Sequence, residues 1–139
     1  MPRFMMFIMI PGDTSDDDWS PSAEDVTAMG RYNEELSKAG VLLALDGLHP
    51  TSKGARVAFS GGGSTVTDGP FTEAKEVVGG YWVIQAKSKE EAVEWATRCP
   101  AEGAAIEVRQ VFEMSDFPED VQEAAGEATV SPSEQPSLR

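Results

Sequence analysis

The 139-residue sequence predicts an α+β fold of the ferredoxin-like βαββαβ kind, an antiparallel four-stranded sheet with two helices on one face plus an inserted β-hairpin. Three observations carry this reading. Short, continuously apolar runs at residues 4–10 and 41–45, and a run rich in Tyr, Trp, Val and Ile at 80–86, alternate with two capped, amphipathic helical segments. A glycine-rich pair of alternating segments falls between the two βαβ halves. With 40% apolar residues, the chain can bury roughly two thirds of its unfolded surface, so one core forms without metal or disulfide staples.

Each element has its own signal. Residues 3–10 lack polar alternation and stop at Pro11-Gly12 before an acidic loop over residues 13–18, which reads as a central strand. Ser20-Pro21, then Ser22 with Asp25, open a helix over about 22–39 whose inward face is Val26, Met29, Leu36 and Ala39, and Gly40 ends it. The apolar run from Val41 returns as a second strand ending near Leu48. Residues 55–60 and 64–67 alternate about Gly61-Gly62-Gly63 as a hairpin; the glycines lack the Lys and helix start of a phosphate-binding loop. Gly80 opens the third main strand, and Ser88 with Glu91 forms a capping box. The helix that follows aligns Ala92, Val93, Trp95, Ala96 and Cys99 and stops at Pro100. Residues 105–113 alternate as the last strand. The folded domain is residues 1–114. Residues 115–139, with six acids and one base, form an acidic, flexible tail with a short helix around 118–126.

Right-handed crossovers put both helices on one sheet face and leave the other bare. Two chains can cover those faces by stacking them about a twofold axis, so a homodimer through the helix-free face is expected.

Composition excludes several functions. Acids outnumber bases 24 to 11 for a net charge of −13, a field that repels phosphate backbones and anionic lipid, so neither nucleic-acid nor membrane binding is expected. The apolar run at residues 4–10 is too short to span a bilayer and has no cleavage site after it, which suggests a cytoplasmic protein. One cysteine and one histidine give no disulfide and no Cys/His metal site, and no cofactor fingerprint is present. Cys99 reads as an apolar filler, with no recognisable base to activate it.

The residues with chemical potential gather around the hairpin. Asp68 precedes Gly69-Pro70: its carboxylate can lock the turn by accepting backbone N–H bonds while Gly69 takes a positive φ, or stand at a cleft edge as a base. His49, before Pro50, is the one side chain with an ordinary pKa near neutrality; it is a surface histidine or the acid/base partner of Asp68. Glu73, Lys75 and Glu76 occupy the loop before Gly79-Gly80, where glycines permit close approach or a bulge. Lys75 either pairs with its acidic neighbours or anchors an anion, and with Tyr81 and Trp82 it marks a pocket wall. Glu107 and Arg109 share one face of the last strand and would line a polar cavity if that face is the dimer side.

The run Val66-Thr67-Asp68-Gly69-Pro70-Phe71-Thr72-Glu73-Ala74-Lys75-Glu76, followed by Gly79-Gly80-Tyr81-Trp82, resembles the signature of the DGPF branch of the YCII-related proteins. Gly47-Leu48-His49-Pro50, Ser88-Lys89-Glu90-Glu91-Ala92 and Ile106-Glu107-Val108-Arg109 extend the resemblance over residues 3–117. It implies a dimeric α/β-barrel, a superfamily that includes muconolactone isomerase and small monooxygenases. It implies no single reaction. The shorter branch of the family carries a His/Asp pair with the histidine on the first helix. Here that helix reads Arg31-Tyr32-Asn33-Glu34-Glu35-Leu36, so the pair does not transfer.

Two functions are open on this reading. One is a dimer that binds a small anionic or phenolic molecule without a cofactor and moves protons in lyase- or isomerase-like chemistry: Asp68 as base, His49 as partner, Lys75 or Arg109 as anchor, with Glu73, Glu76, Tyr81 and Glu107 around them. The other is a non-enzymatic accessory or sensing module that engages a protein partner, in keeping with the association of some relatives with extracytoplasmic-function sigma factors.

Overall fold

The computed structural model describes residues 1–13 and 20–126; most of the acidic loop and the end of the tail lie outside the described residues. The elements run β1 (Arg3–Pro11), α1 (Ala23–Lys38), β2 (Leu42–Gly47), β3 (Ala55–Ser60), β4 (Gly63–Asp68), β5 (Glu76–Gln85), α2 (Lys89–Thr97), β6 (Ala105–Gln110) and α3 (Glu119–Gly126). Single 3-10 turns lie at Thr51–Lys53 and Met114–Asp116. Four strands form an antiparallel sheet in the order β2-β5-β1-β6, and β3 pairs only with β4 as a separate ribbon. This is the α+β topology that the element pattern predicts, and α3 is the short helix expected at 118–126.

Strand alternation divides the sheet into two unlike faces. Phe4, Met6, Trp82 and Ile84 point to the helices and are buried with Tyr32 and Leu36 of α1 and Ala92 of α2. Ile8, Met29, Trp95, Cys99, Ile106 and Val108 pack around them. Two polar groups pin the helices: Tyr32 donates its hydroxyl to the Trp95 carbonyl at 2.7 Å, and the Trp82 indole donates to Asn33 Oδ1 at 2.8 Å. The Tyr32 and Trp82 rings meet edge to face at 5.8 Å. Both helix starts are capped as expected, Ser22 and Ser88 accepting from the N–H of Asp25 and Glu91.

Several expectations need correcting. Val26 and Ala39 are exposed, because the sheet is reached only by the Met29, Tyr32 and Leu36 side of α1. Val93 of α2 is likewise exposed. β2 exposes Leu43 and Leu45 because it is an edge strand with a bulge between Leu42 and Ala44. β5 starts at Glu76, since Ile10 and Pro11 extend the β1 ladder onto Val77 and Glu76. Gly79 is then the bulge residue that shifts the register between Ile8 and Met9. β6 ends at Gln110, and Glu113 turns back to bind Arg3 through both oxygens at 2.6 and 3.2 Å.

The Asp68 turn also differs in cause. Gly69 does not take a positive φ, and its peptide bond to Pro70 is cis. A side chain is forbidden there because a Cβ would run into the Thr51 carbonyl oxygen. Gly69→Ala should therefore cost about 1–3 kcal/mol in urea unfolding. Gly30→Ala, on the open side of α1 with nothing nearby, should add about 0.5–1 kcal/mol. Equal effects at the two positions would contradict the close approach.

Burial pushes the Cys99 thiol up to about 11. The stability that rests on a neutral thiol is complete below about 9, its unfolded value, and is lost as pH rises through about 11. At pH 8 the folded chain should react with iodoacetamide about 100-fold more slowly than the urea-unfolded chain. Matching rates would show a thiol in contact with water.

Candidate functional site

The loops that carry the expected site residues meet at one end of the sheet, where β1 and β2 finish and β5 begins. Backbone contacts hold them there. The Gly12 N–H donates to the Lys75 carbonyl at 3.0 Å, and a Cβ on Gly12 would strike the Ala74 carbonyl. Leu48 N–H donates to the Gly79 carbonyl at 3.0 Å, continuing β2 one residue past its end. Gly80 lies so close to the Asp46 carbonyl that a Cβ would approach it to 3.0 Å. Thr51 sits under Gly69, its hydroxyl accepts the Phe71 N–H at 3.2 Å, and Gly69 N–H donates to the Gly54 carbonyl at 2.9 Å. The segment after His49 and the segment after Asp68 are thus packed backbone to backbone.

His49 and Asp68 are exposed, and neither side chain makes a hydrogen bond or ion pair with another described residue. The turn-locking bonds expected of Asp68 are not made; the Gly69 amide is satisfied by Gly54 instead. Glu73 and Lys75 are exposed on the loop, and Glu76 on the first residue of β5. Lys75 forms no ion pair with either acid among the described residues. Two shallow concavities lie elsewhere, one around Phe59–Ser64 and one of about 520 Å³ between α2 and β6.

Tyr81, Glu107 and Arg109 belong to a second group, on the helix-free face. The ladder aligns Asp46, Tyr81, Phe7 and Glu107 in one row across all four strands, and Ala44, Val83, Met5 and Arg109 in the next. Tyr81 donates its hydroxyl to Asp46 Oδ2 at 2.7 Å; this bond, with the carboxylate's charge, raises the phenol above its ordinary range. Arg109 Nη1 stands 4.0 Å from Glu107 Oε2, with both side chains largely in water. Met5, Phe7, Met9, Tyr81 and Val83 are half-buried there. The face has an apolar centre and a charged rim: Asp46 at the β2 side, Glu107 and Arg109 at the β6 side, and Arg3 with Glu113 beyond them.

Asp46 escaped sequence reasoning, although a carboxylate closing an otherwise apolar strand was a signal for it. Thr51 gave none, since its role depends on the approach of Gly69. The Arg56 guanidinium, 4.2 Å over the Phe71 ring, ties the hairpin to the body by a cation–π contact that spacing does not reveal. The first helix directs Tyr32 and Asn33 to hydrogen bonds with Trp95 and Trp82.

No helix among the described residues is long and apolar enough to cross a membrane. The model of the YCII-related domain matches residues 6–115. An uncharacterized protein of Rhizobium meliloti (strain 1021) is 36% identical over 72 residues, which are 52% of this chain and 56% of that protein. The chain thus spans little more than half of that curated relative. The family match takes in two thirds of β1, both crossover helices, the hairpin and the whole of β6, and the chain belongs to the YCII-related domain family.

Proposed function

We propose that this protein is a homodimer that binds a small organic anion or phenol between two helix-free sheet faces and transfers a proton on it without a cofactor. The single observation that carries this reading is the row Asp46, Tyr81, Phe7 and Glu107, with Arg109 one row further in, on the apolar face opposite the one that α1 and α2 cover. Sheet faces of this composition are stable in water when another surface removes them from it, at about 25 cal/mol per Å² of apolar area. A second copy brings an identical apolar centre and the same rim of alternating charges.

Such a pairing encloses aromatic surface with a few fixed polar groups, the usual make-up of a small-molecule site. Phe7 and Tyr81 offer ring faces, and the Arg109 guanidinium offers a planar fork for a carboxylate. Lys75, Glu73 and Glu76 stand at the end of the sheet where a ligand would enter. Asp68 and His49 flank the same end. With the carboxylate of Asp68 taking a proton from one ligand atom and a protonated His49 returning one at another, a double bond shifts while no electron is gained or lost; exchange with water resets both groups. The Asp68-Gly69-Pro70-Phe71 run supports placing the chain in the DGPF branch of its family, and a cytoplasmic location fits the cofactor-free chemistry.

Thermal-shift titration with benzoate and phenol tests the binding, and NMR-detected deuterium exchange into a 2-oxo acid tests the proton transfer. Wild type should be stabilised by benzoate. Arg109→Ala should weaken that binding about 10- to 100-fold by removing a charge-assisted contact. Asp68→Asn should keep the binding and slow the exchange at least about 100-fold. Undiminished benzoate binding in Arg109→Ala would overturn the placement of the site, and unchanged exchange in Asp68→Asn would overturn the assignment of the base.

A further inference from the structure

The β3–β4 arm stands outside the main sheet, and a two-stranded ribbon is marginal in water unless one of its faces is covered. Gly61 and Gly62, at φ +58 and +81, close it with a turn whose twist suits the strands. One face of the arm carries Arg56, stacked on Phe71 of the body. The other face carries Val57, Phe59 and Val66, and nothing in the described chain covers it: Phe59 is 81% exposed and Val66 64%. The outer edge of β2, which leads into the arm, has no strand partner among the described residues and exposes Leu43 and Leu45, with Leu48 just beyond. These six side chains are more than half of the large apolar side chains exposed on the described chain.

Charge singles out the part of this stretch that follows Asp46. Two copies at −13 each repel one another over most of their surface. Residues 47–67 contain no Asp or Glu and carry Lys53 and Arg56, so an equally acidic molecule can approach most closely here. We infer that the arm lies across the β2 edge of a second copy of this chain, each protomer giving one arm and receiving one. The contact is self-complementary and closes under a twofold axis. It covers an edge strand that would otherwise template unwanted pairing. A second copy fits better than an unrelated partner, because one chain supplies both an arm whose one acid, Asp68, is outnumbered by Lys53 and Arg56 at and before its base and the acidic body that attracts it.

The arrangement bears on the proposed chemistry. Ala55 pairs with Asp68 and Val57 with Val66 in an unbroken register, so Asp68 lies on the same face of the arm as the three apolar groups. Seating the arm draws that carboxylate out of water, the partial burial a general base requires. The second copy then completes the site. The inference takes its twofold axis from the sheet-face pairing proposed above, and adds a separate surface to it.

Sedimentation of the full chain tests the arm with two variants. Phe59→Ser combined with Val66→Thr removes the apolar face at positions already exposed in one chain, so secondary structure should be retained; the dimer dissociation constant should rise at least about tenfold. Phe7→Glu disrupts the sheet face alone. An unchanged dissociation constant in the arm variant beside a monomeric Phe7→Glu overturns the arm contact and leaves the sheet-face pairing standing. A weakened arm variant beside an unaffected Phe7→Glu supports the arm and overturns the sheet face, and a wild type that stays monomeric at every accessible concentration overturns both. Positional proof comes from mixing differently tagged Phe59→Cys and Leu45→Cys chains, both in a Cys99→Ala background, with a short bismaleimide. A mixed cross-linked dimer is expected, and its absence would contradict the placement of the arm whether or not Phe7→Glu folds.

Discussion

β1 is apolar on both sides, and the two crossover helices can cover only one of them. Phe4, Met6 and Ile8 meet α1 and α2, while Met5, Phe7 and Met9 face away from every helix packed on the sheet. Right-handed crossovers leave no other choice, since both must return over the same face. The helix-free face therefore shapes the molecule's surface chemistry. Its polar groups are placed at the borders, where Asp46 holds Tyr81 and Glu113 holds Arg3, and its middle is left to methionine, phenylalanine and valine.

A second constraint fixes where the loops go. At one end of the sheet three glycines allow backbone to touch backbone: Gly12 against Ala74, Gly69 against Thr51 and Gly80 against Asp46. These contacts have little room to slide: a methyl group would overlap a carbonyl at Gly12 and Gly69 and would be tightly pressed against one at Gly80. They draw the segments bearing His49, Asp68 and Lys75 to the end of the sheet from which the Asp46–Tyr81 row is reached. The close approaches fix the backbone of these segments relative to the sheet.

Much of this was legible in residue order, and the rest was not for identifiable reasons. The capping serines at 22 and 88, the stop at Gly40 and the Gly61-Gly62 turn are local, so spacing revealed them. The start of β5 at Glu76 was hidden because a ladder partner, β1, creates it. The exposure of Val26, Val93 and Leu43 was hidden because apolar type says nothing about which side of a helix or edge strand another element reaches. At the site, Asp68, His49, Tyr81, Glu107 and Arg109 stood out by chemistry. Their division into an exposed hairpin corner and an open-face row follows from strand pairing alone. Gly69 was recognised as special but for the wrong cause, since its neighbour Thr51 is distant in sequence and no turn rule includes it.

The most direct test of the pairing is methionine-methyl NMR of the full chain with a soluble paramagnetic agent, recorded across a dilution series. Met6, in the core, serves as the protected reference at every concentration. If the helix-free face is closed by a second copy, the Met5 and Met9 methyls should be as protected as Met6 in concentrated solution and become broadened by the agent on dilution. Met5 and Met9 signals that are broadened equally at all concentrations would show a face permanently open to water and would contradict the dimeric site.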